Sequence, residues 1–206
     1  MSLEDALHVS PEAALKQGYP PDLSFGNINI DPLTGLPKGK VFLEDLANYI
    51  SVCKQAKRRF GLIYFNVNRF RLYNHVKGHI SGDYLLIEIC KTVQAILSDS
   101  ETFYRCGGDR FVILVKTEYK EDILQLTLNI LSKIRQILIE PFLHHLYQQK
   151  YVVFDSVSVS ASVAFFPENV GDAKATLDSL EYSAFLAKRD GEGLRLVDAK
   201  YSSIDE

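Results

Sequence analysis

The sequence of 206 residues has few cysteines, no long apolar run and no excess of basic residues. Its three cysteines are an odd number at wide, irregular spacing, which excludes a disulfide framework and a CxxC zinc pattern. The longest apolar stretch, residues 151–166, is interrupted by Asp155 and four serines, whereas a membrane span needs about 20 apolar residues in a row. The net charge of −3 disfavours nonspecific binding of nucleic acid. We therefore expect neither a nucleic-acid partner nor direct membrane contact.

The N-terminus also lacks the charged-then-apolar pattern of a secretory signal. Cys53, Cys90 and Cys106 each lie among apolar residues, so we expect buried thiols in a reducing compartment. These features predict a cytoplasmic protein, or the cytoplasmic portion of a larger one. Apolar residues make up 47% of the chain and charged residues 24%, which is typical of a folded globular protein.

Three parts can be distinguished along the chain. Residues 1–28 contain several prolines and glycines with little periodicity, so they are interpreted as the chain start and a linker with one short helix. Residues 29–198 form the predicted domain, and residues 199–206 a tail toward a possible downstream domain.

Alternating helical and strand patterns within residues 29–198 predict an α/β fold, an α+β sandwich of helices on a sheet. The predicted helices cover 38–57, a segment capped by Ser81, a segment around 123–137, and 172–188; the predicted strands cover 60–67, 102–106, 110–115, 151–154, 157–166 and 194–197. Serines alternate with apolar residues in 157–166, so we expect one buried and one exposed face there. His144 and His145 are interpreted as surface residues.

Two loops are the candidate functional segments. Residues 68–82 form a polar, glycine-punctuated stretch between a buried strand and a helix, which is a common nucleotide-binding arrangement. Gly107-Gly108 separates two strands and lets a backbone approach a phosphate closely. Each pattern alone is also typical of an ordinary loop or turn.

Taken together, four motifs resemble the GGDEF domains of the diguanylate cyclase family. They are Asp31-Pro-Leu-Thr-Gly-Leu-Pro, the segment from Asn66 to Asp83, Arg105-Cys-Gly-Gly-Asp-Arg-Phe111, and Ala184-Phe-Leu-Ala-Lys188-Arg-Asp-Gly191. The resemblance implies a central, mostly antiparallel sheet flanked by helices, akin to nucleotide cyclases and polymerase palm domains. It also implies a reaction that joins two GTP molecules into cyclic di-GMP with two divalent metals, across a face-to-face pair of domains.

The resemblance assigns the metal and catalytic positions to Asn66, Asn68, Asp109 and Arg110. Asp109 matches a metal-binding acid, but Asn66 and Asn68 are amides where the family has aspartates, and Arg110 replaces an acid. Magnesium prefers anionic oxygen ligands, and the charges at Asn66, Asp109 and Arg110 sum to zero instead of the family's −3. The sequence therefore predicts a degenerate catalytic site and no certain cofactor. Mg²⁺ is expected only under the alternative that the domain is an active cyclase. Arg110 either pairs with Asp109 or Glu192, or contacts phosphate together with Arg71.

Nucleotide-binding positions are better matched. Asn74 and Asp83 correspond to the pair that contacts the guanine edge, and Lys188 to a phosphate-contacting lysine; Arg71, Gly107 and Gly108 complete this predicted set. Glu192 stands where the family has an arginine. The family's product-inhibition motif RxxD corresponds to Ser98-Asp99-Ser100-Glu101, which has no arginine, so feedback by cyclic di-GMP at that place is not expected.

These observations favour a regulatory or interaction module that binds GTP or GDP. The alternatives are an active diguanylate cyclase and a purely structural dimerisation domain. Glu140-Pro141-Phe142 resembles the form of the domain that precedes EAL phosphodiesterase domains, so a neighbouring EAL or sensory domain and a homodimer are the predicted partners.

Overall fold

The computed structural model describes residues 28–145 and 151–198. Five strands form one sheet in the order β2-β3-β1-β6-β7, and two more form a separate β4–β5 hairpin. The strands are β1 (Phe60–Val67), β2 (Glu101–Gly107), β3 (Arg110–Val115), β4 (Phe142–His145), β5 (Tyr151–Phe154), β6 (Val159–Phe166) and β7 (Leu194–Leu196). The helices are α1 (Gly39–Ala56), α2 (Phe70–Lys77), α3 (His79–Gln94), α4 (Lys120–Arg135) and α5 (Ala173–Asp190).

Pairing within the large sheet confirms the predicted mostly antiparallel arrangement. Strand β1 lies in the centre and runs antiparallel to both β3 and β6, and β2 pairs antiparallel with β3. Only the short edge strand β7 runs parallel to its neighbour β6. The α/β fold class with helices flanking a central sheet is therefore confirmed.

Each face of the sheet carries its own hydrophobic core. Ile63, Phe65 and Val67 of β1 belong to the core that includes residues of α3 and α4. Leu62 and Tyr64 point to the other core, which is covered by α1 and α5. Because β1 is buried on both faces, it has the nearly continuous apolar sequence that predicted it.

The prediction of an exposed serine face on residues 157–166 is wrong within β6, although Ser158, just before the strand, is exposed. All eight residues of β6 are buried, because helices cover both faces of the sheet. The hydroxyl groups find partners there: Ser162 Oγ donates to the Leu180 carbonyl at 2.7 Å, and Ser160 Oγ donates to Asn68 Oδ1 at 2.9 Å. The serines that alternate with apolar residues in β6 are therefore buried polar groups with hydrogen-bond partners, and they do not form a solvent-facing surface.

The polar segment 68–82 also differs from the predicted loop. The segment contains the whole of α2, and the residue before this helix, Arg69, has a left-handed backbone conformation. The next helix, α3, begins at His79. Ser81 therefore does not cap a helix; its hydroxyl donates to the Lys77 carbonyl at 2.8 Å. Strand β4 was not predicted, and it carries His144 and His145.

Several other expectations concern the ends of the chain and its cysteines. The predicted linker in residues 1–27 and the tail in residues 199–206 lie outside the described residues. Cys53 and Cys90 are buried, Cys106 is partly buried, and all three are free thiols. None of the described helices is long and apolar enough to cross a membrane.

Candidate functional site

The end of strand β1 and the glycine turn between β2 and β3 lie side by side. Asn66 is the register partner of Arg110, and the Val67 amide donates to the Asp109 carbonyl at 3.1 Å. Gly107 and Gly108 adopt φ angles of 108° and 56°, which glycine tolerates without steric cost. The sheet register therefore brings together three of the four predicted metal and catalytic positions.

A buried ion pair fixes this turn from the N-terminal side, and sequence reasoning did not find it. Arg105 donates to the Gly108 carbonyl through Nε (3.0 Å) and Nη2 (2.7 Å), and through Nη1 to Asp31 Oδ1 at 2.7 Å. Asp31 Oδ1 also accepts from the Thr34 amide at 3.0 Å and from the Thr34 hydroxyl at 2.7 Å. We call Asp31, Thr34, Arg105 and Gly108 the turn clamp. The motif that begins at Asp31 was the one sign of the turn clamp in the sequence. A local pattern does not show that Asp31 pairs with Arg105, because the two residues are 74 positions apart.

The turn clamp perturbs the ionisation of Asp31. Partial burial by itself raises the pKa of the carboxyl, but hydrogen bonds from Thr34 and Arg105, with the charge of Arg105, outweigh it and hold the pKa below its ordinary value. Arg105 and Asp31 keep only 10% and 18% of their side-chain surface exposed. Both charges are therefore largely desolvated, and each is stabilised by the opposite charge of the other.

The two asparagines at the end of β1 differ in their contacts. Asn68 is engaged: its amide nitrogen donates to Ser158 Oγ at 3.3 Å, and its Oδ1 accepts from Ser160. Asn66 Oδ1 is buried and has no hydrogen-bond partner among the described residues. Asn66 therefore differs from Asn68, whose side chain is held by two serine hydroxyls.

Arg110 forms an ion pair that the sequence did not predict. Its Nη1 lies 3.0 Å from Glu181 Oε1 of α5, so the expected pairing with Asp109 or Glu192 is wrong. The guanidinium also makes long contacts of 3.4 Å with the carbonyls of Cys106 and Gly107. Because the Arg110 side chain is 44% exposed, this pair contributes little to stability.

Glu192 is likewise engaged by a neighbour. Its carboxylate accepts from Arg195 Nε at 2.8 Å and Nη2 at 2.9 Å, and Arg195 also contacts Asp190. The negative charge of Glu192 is therefore locally balanced by an arginine that sequence reasoning did not single out. Lys188 lies near the end of α5, exposed, and in the described ranges no ion pair involves it.

The predicted guanine-contacting residues lie where α2 meets α3. Asn74 Oδ1 is buried without a hydrogen-bond partner in the described part of the chain. It packs against Gly82, where a Cβ atom would lie only 1.8 Å from Asn74 Oδ1. Asp83 follows Gly82 in the first turns of α3 and is exposed, as is Arg71 on α2. Only glycine at position 82 leaves room for the Asn74 amide in this position.

Several of these residues line one of two clefts. Asn68, Lys188 and Glu192 line one cleft of about 440 Å³. Gly107, Arg110 and Glu181 line another of about 470 Å³. In residues 28–145 and 151–198, no three His, Cys, Asp or Glu side chains are grouped so that they could hold a metal ion.

The segment at the product-inhibition position folds back on itself. Glu101 accepts from the Ser98 amide at 2.6 Å, from the Ser98 hydroxyl at 2.7 Å and from the Ser100 hydroxyl at 2.6 Å. Partial burial raises the pKa of Glu101, but these hydrogen bonds outweigh it and lower the pKa overall. The Glu101 carboxylate, which stands at the position of the motif's aspartate, therefore accepts hydrogen bonds from residues of its own turn.

Comparison with known proteins places this geometry in a family. The family model "Diguanylate cyclase, GGDEF domain" matches residues 28–192. The chain is 27% identical over 165 residues to the cyclic di-GMP phosphodiesterase PdeR of Escherichia coli, and 26% identical over 166 residues to the diguanylate cyclase TpbB of Pseudomonas aeruginosa. Each alignment covers 80% of this chain. A solved structure comprising only the GGDEF domain of TpbB superposes with a TM-score of 0.70 at 26% identity, covering 84% of this chain and 96% of that one.

The matched relatives are longer proteins with different named activities. The alignments span 23% of PdeR and 36% of TpbB, one named as a phosphodiesterase and the other as a cyclase. Likeness to them therefore does not decide whether this domain is catalytic. The matched family model covers residues 28–192, which is most of the chain. The chain belongs to the diguanylate cyclase GGDEF domain family of cyclic di-GMP signalling.

Proposed function

We propose that this GGDEF domain does not synthesise cyclic di-GMP and instead acts as a regulatory module that binds GTP or GDP. The observation that carries the proposal is the contrast between two parts of the site. The positions expected to hold metals carry an amide and an arginine engaged by Glu181, whereas the predicted guanine-contacting pair is present and Gly82 leaves room for its Asn74 amide.

The donor set does not fit two divalent cations. Asn66 offers a neutral oxygen, Asp109 a single carboxylate, and Arg110 a fixed positive charge on the same turn. Divalent metals in phosphoryl transfer align the attacking oxygen and neutralise phosphate charge, and magnesium holds such positions through anionic oxygens. A metal-dependent step is therefore not part of the proposed function.

Nucleotide binding needs fewer of these groups. Asn74 Oδ1 is buried and has no hydrogen-bond partner in the described ranges, so its side chain must rotate toward solvent before it accepts a hydrogen bond from an amino or imino group of a guanine edge. The exposed Asp83 carboxylate can accept another directly. Lys188, which forms no ion pair within residues 28–145 and 151–198, supplies a positive charge for phosphate. The engagement of Glu192 by Arg195 reduces the repulsion that Glu192 alone would exert. Arg71 is a further exposed cation on α2.

The regulatory role follows from the same loss of catalytic groups. A domain that binds nucleotide without turning it over can transmit the bound state only to whatever it contacts, which in this proposal is a neighbouring EAL or sensory domain, or a second copy, in the cytoplasm. The relatives' greater length leaves room for such neighbours. This part of the proposal rests on family analogy.

Titration calorimetry with GTP and GDP, with and without Mg²⁺, tests the proposal. We expect binding below millimolar concentration that does not require Mg²⁺, and a loss of about tenfold in affinity in Asn74→Ala, because one hydrogen bond to the base contributes about 1 to 1.5 kcal/mol. Asn48→Ala removes an exposed amide from α1 and is the matched control. Absence of heat with either nucleotide contradicts the proposal and favours the purely structural alternative.

A further inference from the structure

Two histidines from different elements meet on the surface away from the glycine turn. The ring centroids of His75 on α2 and His144 on β4 lie 5.9 Å apart, with the ring planes at 85°. His75 is exposed and His144 is half-buried, so solvent reaches this junction. Neither residue takes part in the nucleotide site described above, and His75 stands where the family resemblance places an aspartate.

The separation of the rings suits a shared metal ion. An imidazole nitrogen lies about 2.0 to 2.1 Å from a bound Zn²⁺, which puts the ring centroid about 3.2 Å from the ion. Two such rings at bond angles between about 109° and 180° have centroids about 5.2 to 6.4 Å apart. The observed 5.9 Å falls within this interval.

The two elements that carry the histidines are already held against each other. Tyr73 of α2 packs against Phe142 and Phe154 of the hairpin, with centroid distances of 6.1 Å and 5.4 Å. Lys77 of α2 also pairs with Glu140 at 2.6 Å and lies 5.6 Å above the Phe142 ring. The imidazoles are therefore brought together by contacts that do not depend on a metal, which lowers the cost of ordering them when an ion binds.

We propose that His75 and His144 form a binding site for a divalent transition-metal ion that prefers imidazole nitrogen, with Zn²⁺, Cu²⁺ and Ni²⁺ as the chemical class. In the described ranges no third His, Cys, Asp or Glu joins the pair as a ligand, so water completes the coordination. Such a two-imidazole site binds more weakly than a four-ligand structural zinc site. Its consequence is local: the ion links α2, which carries Asn74, to the β4–β5 hairpin.

Calorimetry of the tag-free 206-residue chain with zinc chloride tests the site. We expect one binding event below millimolar zinc, weakened at least about tenfold by His75→Ala and by His144→Ala, because each removes one of the two imidazole ligands. His145→Ala is the matched control, because His145 is the next residue of the same strand, is exposed and contacts Tyr151 instead of His75. Zinc affinity that is unchanged in both His75→Ala and His144→Ala overturns the proposal, as does the absence of binding below millimolar zinc.

Hydrogen exchange distinguishes this site from adventitious binding elsewhere on the chain. Saturating zinc is expected to slow amide exchange in α2 and β4 of the wild-type protein, and not in His144→Ala. Slowing of equal size in the variant means that the ion binds elsewhere and contradicts the proposal. Both readouts are independent of GTP, so the failure of the nucleotide proposal leaves them unaffected.

Discussion

Removal of the Asp31 carboxylate is the perturbation that tests how the N-terminal motif supports the glycine turn. Asp31→Ala deletes three hydrogen bonds, from the Thr34 amide, the Thr34 hydroxyl and Arg105. The Arg105 guanidinium, of whose side chain only 10% is exposed, then keeps the Gly108 carbonyl as its partner among the described residues. Breaking one side of a buried ion pair costs about 3 to 5 kcal/mol, and the partial exposure of Asp31 places the expectation near the lower limit, at about 3 kcal/mol. For a domain of this size, that loss lowers the melting temperature by about 6 to 12 °C.

The pH dependence of this loss has a definite sign. Because the folded-state pKa of Asp31 lies below its unfolded value, the carboxylate contributes stability that is fully present above the unfolded pKa of about 3.9. That contribution is lost as the pH falls through the folded-state pKa. The difference in unfolding free energy between wild type and Asp31→Ala should therefore be constant between pH 7 and pH 5.5, and shrink below about pH 4.

Urea denaturation followed by circular dichroism measures both quantities. Asp99→Ala is the control, because Asp99 is an exposed carboxylate in a loop, and its loss should change stability by less than about 0.5 kcal/mol. If Asp31→Ala costs less than about 1 kcal/mol at pH 7, or if its cost does not diminish in acid, the turn clamp does not stabilise the domain as described.

Three further predictions concern the site and the sheet. Gly82→Ala should weaken GTP binding about tenfold, because its Cβ would lie 1.8 Å from Asn74 Oδ1, and adding it to Asn74→Ala should cause no further loss in calorimetry; additive losses contradict the packing argument. Arg110→Ala should change the free energy of unfolding by less than about 1 kcal/mol, since its pair with Glu181 is exposed, and a larger loss in urea titration would show that the pair supports the fold. Ser162→Ala should cost about 1 kcal/mol by removing a buried hydrogen bond, whereas no loss would mean that this hydroxyl is dispensable.

Local sequence patterns correctly predicted the central strand and the glycine hairpin. Residues 60–67 were predicted as a buried strand with the bounds that the structure gives β1, since a strand covered on both faces needs apolar residues at nearly every position. The hairpin around Gly107 and Gly108 was also predicted correctly, because two adjacent glycines favour the positive φ angles found there. Helix α2 was missed because it is short, polar and buries only Tyr73.

The candidate site was less predictable, since its organisation depends on contacts between distant residues. The motif around Asp31 was recognisable, but its role became visible only when the fold placed Asp31 beside Arg105. The same holds for Arg110, whose partner Glu181 is 71 residues away on α5. Sequence could identify which groups had changed, and the structure was needed to show what those groups contact.

Product formation is the most direct test of the proposal that this GGDEF domain lacks cyclase activity. The wild-type chain is incubated with GTP and either Mg²⁺ or Mn²⁺, and cyclic di-GMP is quantified by chromatography. The variant Asn66→Asp/Arg110→Glu, which restores an acid at two of the three changed positions, is assayed beside it. The account predicts no product above a protein-free control for the wild type, and tighter, metal-dependent GTP binding by the double variant. Metal-dependent accumulation of cyclic di-GMP by the wild-type chain would contradict it.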